Sequence, residues 1–169
     1  REQEEWLLAD RILAGAPLVI EGLLQRGVPH SKCAVIPYGI PLELFPPKPP
    51  EPAHRKLRVL FLGEVGLRKG APYLLEALRA LGPARVEARF AGSIRVAREK
   101  LRLYGEVAAF LGLVPRSKIT DLYRWADVLA LPSICEGSSL VSYEALASGV
   151  PVVATPNAGT WIRESMDGL

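Results

Sequence analysis

Cysteine is nearly absent from this chain. Its 169 residues include two, Cys33 and Cys135, which excludes a disulfide framework and points to free thiols in a reducing compartment. Histidine is as scarce: His30 and His54 read as ordinary surface residues, and no convincing metal cluster is visible. No apolar run approaches the ~20 residues of a membrane-spanning helix, and no signal peptide is visible. There is no block of Lys and Arg. The net charge of +3 (pI ≈ 9.0) reads as spread along the chain, short of a nucleic-acid-binding signature but tolerant of an anionic ligand. Asn157 is the single asparagine, which fits either a heat-adapted source or a composition-biased genome. No internal repeat or low-complexity tail stands out.

What is present is ordinary for a globular α/β protein: 49% hydrophobic and 23% charged residues, in one domain's worth of chain or slightly more. Helical patterning over Glu2–Ala9 and Pro17–Arg26 alternates with short strands at Asp10–Ala14 and Cys33–Ile36. The segment Pro46-Pro-Lys-Pro-Pro-Glu-Pro52 resists helix and sheet alike, so a domain boundary is expected across residues 46–56. Beyond it, strands at Leu57–Leu62, Arg85–Ala91, Val107–Leu111, Asp127–Leu131 and Val152–Ala154 alternate with helices. The helices fall at Pro72–Leu81, Val96–Leu103, Ser117–Trp125 and Ser139–Ser148, with a helical start at Thr160–Glu164. This alternation predicts a Rossmann-like α/β domain, a parallel sheet with helices on both faces. Near-continuous apolar strands such as Val59-Leu-Phe-Leu62 fit burial on both sides.

Ligands of such sheets bind outside the carboxyl ends of the strands. The loops there are 63–70, 92–93, 112–115, 132–139 and 155–159, and each contains glycine. The fourth leads into Cys135-Glu136-Gly137-Ser138-Ser139, a helix start with good capping residues and unpaired N–H groups, a ready phosphate site. Glu136 precedes this helix and Glu144 lies within it. Eight positions span ~12 Å at helical rise, which suits gripping the two ends of an extended ligand with a diphosphate middle. Arg68 and Lys69 precede the Pro72 helix at its positive end, a disfavoured place for cations unless an anion sits between. Cys135 reads as a small packing residue, and Trp125 and Trp161 as packing residues. A dinucleotide-binding dehydrogenase would need G-x-G-x-x-G after the first strand, and Gly63-Glu-Val-Gly66 lacks that spacing.

Taken in order, several segments resemble the nucleotide-sugar-dependent glycosyltransferases of family 4, the group 1 type with the GT-B fold. They are Leu60-Phe-Leu-Gly63, Arg68-Lys-Gly70, Phe110-Leu-Gly-Leu-Val114, Leu131-Pro-Ser133, Glu136-x7-Glu144 (the EX7E motif) and Gly149-Val-Pro-Val-Val-Ala154. The resemblance implies that residues 1–45 end an N-terminal domain and form its crossover. Residues 57–169 would then be the donor-binding half, truncated at its C-terminus. Both chain ends read as cuts through a longer protein.

The resemblance also implies roles. Glu136 is the catalytic residue beside the donor sugar, as nucleophile or as positioning group. Gly137, Ser138 and Ser139 meet the diphosphate, and Lys69 neutralises it. Glu144 holds the ribose hydroxyls, and Val114 lines the base pocket. Where many members carry an arginine after the glycine ending the first strand, this chain has Glu64, and Arg68 is the expected substitute. The implied activity is retaining, hexosyltransferase-like transfer from a UDP- or GDP-sugar to a sugar, lipid or small-molecule acceptor. It is metal-independent, without a cofactor, in the cytoplasm or at the inner membrane face. Without the N-terminal acceptor-binding domain this stretch alone is expected to be inactive. The alternative is a non-catalytic nucleotide or nucleotide-sugar binding module.

Overall fold

The computed structural model describes residues 2–49, 56–163, 166, 168 and 169. A helix α1 (Glu2–Leu8) leads into β1 (Ile12–Ala14), α2 (Pro17–Leu24) and β2 (Cys33–Val35), and β1 and β2 pair in parallel. The large sheet holds β3 (Leu57–Leu62), β4 (Val86–Ala91), β5 (Ala108–Gly112), β6 (Val128–Leu131) and β7 (Val152–Ala154). All five are parallel, in the order β5-β4-β3-β6-β7.

The central strand shows why the apolar runs are continuous. Successive side chains of a strand point to opposite faces. Val59 and Phe61 therefore enter one core with Leu75 and Leu78 of α3 (Ala71–Leu81). Leu60 and Leu62 enter the other with Tyr123 of α5 (Ile119–Trp125) and Ala145 of α6 (Leu140–Ala147). Each such buried Leu or Phe contributes ~1.5–3 kcal/mol. Phe61 and Phe90 stack with centroids 5.0 Å apart, tying β3 to β4 inside the first core. The Rossmann-like sheet covered on both faces is thus as the alternation predicts.

Two local expectations are corrected. The helix expected over 96–103 shrinks to α4 (Arg98–Leu101), followed by a 3-10 turn over Arg102–Tyr104. Arg98 and Arg102 stand four apart, where like charges disfavour continuing the helix. The helical start expected at Thr160–Glu164 does not form over Thr160–Arg163, and Glu164 lies outside the described residues. A 3-10 turn at Pro156–Ala158 forms instead and is stopped by left-handed Gly159 (φ 61°).

The first segment is fastened to the large sheet just ahead of the proline-rich run and at its start. Phe45 is 3% exposed and meets Tyr123 edge-on, 5.9 Å between centroids. Lys48 Nζ donates to the Ala126 carbonyl (2.6 Å) and lies 3.7 Å from Asp127. Residues 50–55 of the proline-rich run, His54 among them, lie outside the described residues, while His30 is exposed, as expected. No described helix is long and apolar enough to cross a membrane.

Candidate active site

The strand order reverses between β3 and β6. Their following helices, α3 and α6, pack on opposite faces, so the topological switch point of the sheet lies between the loops leaving these two strands. Loop 63–70 brings Arg68 and Lys69 to it, and loop 132–139 brings Glu136. The two loops are clamped by their backbones. Ile134 N–H donates to the Arg68 carbonyl at 2.9 Å. Gly70 is left-handed (φ 70°), and a Cβ there would stand 1.8 Å from the Pro132 carbonyl oxygen, so only glycine fits. A third loop closes on the same place: a Cβ on Gly159 would come within 2.8 Å of the Gly137 carbonyl oxygen.

This clamp brings opposite charges together from distant parts of the chain. Lys69 Nζ forms an ion pair with Glu136 Oε2. Their side chains are 12% and 15% exposed, so water screens the pair only in part. Arg68 Nη1 donates to the Cys135 carbonyl at 3.3 Å and lies 3.5 Å from the same Glu136 oxygen. Arg68 thus turns toward Glu136, and it is Arg95 whose Nε reaches Glu64, at 3.2 Å. Cys135 is exposed, not the packing residue the sequence suggests.

Glu144 is in a different setting. It is 1% exposed, not a surface helix carboxylate. Arg116 Nη2 donates to its Oε1 at 2.6 Å, and the Tyr123 hydroxyl donates to its Oε2 at 2.9 Å. Burial, and after it the negative charge of Glu144, push the Tyr123 hydroxyl far above the usual phenol range, so it stays a donor. Glu144 opens onto a cavity of about 160 Å³ that Val114, Leu113, Arg116, Gly63 and Gly92 also line, at the carboxyl ends of β3, β4 and β5. A Cβ on Gly63 would stand 3.5 Å from Lys69 Cε, so the lysine stem passes beside this cavity. Larger hollows, of about 390 and 260 Å³, lie against α4 and α1, but no carboxylate lines either.

Between the two glutamates the chain is not continuously helical. Ser139 is extended (φ −103°, ψ 98°) and α6 begins at Leu140, so the helical-rise estimate applies only to its second half. Ser139 makes no side-chain cap bond. Its carbonyl accepts from Ser142 Oγ at 2.6 Å. Ser138 Oγ lies 3.3 Å from the Tyr143 hydroxyl, and Gly15 of the first segment packs so closely on Ser138 that a Cβ there would stand 2.7 Å from the serine Cβ. Trp161 Nε1 donates to the Gly15 carbonyl at 3.3 Å, covering the same contact. Trp125 packs as expected, under the guanidinium of Arg89 at 4.1 Å.

Sequence reasoning missed Arg116, Tyr123 and Arg95. Arg116 had a readable signal: like Arg68 and Lys69, it is a cation just ahead of a helix, where an anionic partner is required. Tyr123 had none, because a tyrosine on an apolar helix face looks like core until its hydroxyl partner is known.

A family model described as glycosyl transferases group 1 matches residues 56–169. D-inositol 3-phosphate glycosyltransferase of Xylanimonas cellulosilytica is 30% identical over 99% of this chain and 46% of its own length. The putative colanic acid biosynthesis glycosyltransferase WcaL of Escherichia coli is 29% identical over 82% of this chain and 37% of its own. The chain spans less than half the length of these curated relatives. Among solved structures, a glycosyltransferase from Rickettsia africae superimposes with a TM-score of 0.78 at 20% identity, covering 95% of this chain and 48% of that one. The Anabaena HepE protein in complex with UDP and glucose gives 0.73 at 21% identity, covering 89% and 45%. Fold, loop placement and family match agree: the chain belongs to the group 1 glycosyl transferases and carries the Rossmann-like domain of their GT-B fold.

Proposed function

We propose that this chain is the donor-binding part of a retaining glycosyltransferase that uses a UDP- or GDP-sugar. The observation that carries the reading is the meeting of Lys69 and Glu136 between the loops leaving β3 and β6, beside the cavity that holds Glu144. Glu144 accepts the ribose hydroxyls, and the backbone around Val114 lines the base pocket. Lys69, Arg68 and the N–H groups of Gly137, Ser138 and Ser139 at the start of α6 take the diphosphate. The sugar lies against Glu136. As the bond from the anomeric carbon to the diphosphate oxygen breaks, negative charge grows on the phosphates and positive charge on the sugar ring. The cations and helix end stabilise the first, and the Glu136 carboxylate the second, more in the transition state than in the ground state. The acceptor hydroxyl oxygen then bonds to the anomeric carbon on the face the diphosphate left, and its proton passes to the departing diphosphate.

The relatives are more than twice as long as this chain, so the acceptor (a sugar, lipid or small molecule) and the seat of the whole protein, in the cytoplasm or at the inner membrane face, are part of the proposal. The test is a thermal-shift panel of UDP, GDP, ADP and their hexose conjugates, with and without EDTA. A ligand at 100 times its Kd stabilises by about 2.7 kcal/mol. One base family is expected to shift the transition, with EDTA making no difference. No shift with any ligand would overturn the donor-site reading. Donor binding without transfer by the full-length enzyme would leave a non-catalytic binding module.

A further inference from the structure

We infer that Glu136 is an internal competitor of the diphosphate, which makes this site prefer a nucleotide sugar over the free nucleoside diphosphate left after transfer. The inference rests on the donor-site reading above and concerns how that site discriminates. With no ligand, the cation assigned to the diphosphate is already neutralised. Lys69 is paired with Glu136, and Arg68 leans on the same Glu136 oxygen. Both members of the main pair are largely withdrawn from water, so separating them carries a real electrostatic cost. The backbone clamp at Gly70 and Ile134 holds the two loops together, so Glu136 cannot withdraw by loop opening without breaking it.

An entering diphosphate has to take Lys69 from Glu136. A carboxylate that loses its cation beside a diphosphate faces a like charge at short range. With an intact nucleotide sugar that cost is offset, because the sugar presents hydroxyl donors to the freed carboxylate. A free nucleoside diphosphate has no such donors. It also carries one more negative charge at its terminal phosphate, nearest to Glu136. Once the sugar has left, Glu136 regains its attraction for Lys69, and the diphosphate is the group displaced. Glu144 plays no part in this exchange, because its partners Arg116 and Tyr123 belong to other elements. Discrimination is therefore confined to the Glu136 end of the ligand.

The test compares wild type with Glu136→Gln by calorimetric titration of UDP, GDP or ADP, whichever the wild type binds, and of its glucose conjugate. Glutamine keeps the size and the hydrogen-bonding capacity but gives up the charge. The free nucleoside diphosphate is expected to bind the variant about three- to tenfold tighter, the scale of one partly screened ion pair. The conjugate is expected to gain less, so the preference for it shrinks. In a Lys69→Met background the gain from Glu136→Gln is expected to shrink to the part owed to Arg68 and to like-charge repulsion from the diphosphate. Unchanged or weaker binding of the free diphosphate by Glu136→Gln overturns the inference and leaves the donor-site reading standing. No binding of any nucleotide by the wild type overturns both. Thermal unfolding of each variant shows that it is folded before it is titrated.

Discussion

Two glutamates eight positions apart lie on one loop and on the helix that follows it, and the fold treats them as opposites. Glu144 is sealed: 1% exposed, both oxygens held, one partner a phenol that burial keeps protonated. Glu136 sits on a loop with partial access to water and one oxygen shared between two cations. A buried carboxylate with fixed donors is pre-organised, so it can recognise a constant part of a ligand without rearranging. A carboxylate paired with lysine and arginine on a neighbouring loop can exchange partners, as is required where bonds are made and broken. The difference arises from where each lies: Glu144 is on a helix packed into a core, and Glu136 is on a loop at the point where two strands diverge.

The comparison breaks most visibly if each glutamate is replaced by alanine. Glu144→Ala is expected to abolish nucleotide binding and to destabilise the fold by about 1–3 kcal/mol, since the buried Tyr123 hydroxyl loses its main acceptor. Glu136→Ala is expected to cost 1 kcal/mol or less, roughly the worth of a partly exposed ion pair. Chemical denaturation of both variants checks the contrast, and equal losses would erase it. Next in size is Lys69→Met. It is expected to weaken UDP or GDP about tenfold while leaving the bare nucleoside within about twofold, because only the phosphates meet that side chain. Equal losses for both ligands in calorimetry would remove Lys69 from the diphosphate.

Tyr123→Phe is expected to cost about 1 kcal/mol near neutral pH. Its signature is at high pH. The Tyr123 hydroxyl titrates above its unfolded value in the folded chain, so above pH ~10 the folded state holds a proton that the unfolded state gives up. Stability contributed by this group is complete below pH ~10 and falls as pH rises beyond it. Denaturation midpoints of wild type and Tyr123→Phe between pH 8 and 11 are expected to converge as the pH rises. A constant gap would show that Tyr123 is not the titrating group.

The order of elements and the positions of the loops were readable because they rest on local patterns. Val59-Leu-Phe-Leu62 reads as a doubly buried strand, and every later strand falls within a residue or two of its expected place. Lys69 and Glu136 were each singled out, but not their pairing, which links residues 67 positions apart through a clamp that depends on strand order. Arg95 was missed for the same reason. Its link to Glu64 follows from the neighbouring loops of β3 and β4, joined through Val65 and Ile94. The shortened α4 and the 3-10 turn after β7 escaped because weak helical signals are settled by charge and packing around them, not by their own spacing.

The sequence by itself determined the α/β alternation, the parallel sheet, its carboxyl edge and the set of residues gathered along it. Those follow from periodicity, from glycine and proline placement, and from the rule that parallel strands deliver their loops to one edge. Only the tertiary structure decided which charges meet, which glutamate is sealed and which stays exchangeable. Burial and ion pairing depend on distances between segments far apart in the chain, and those distances exist only once the sheet has fixed its strand order.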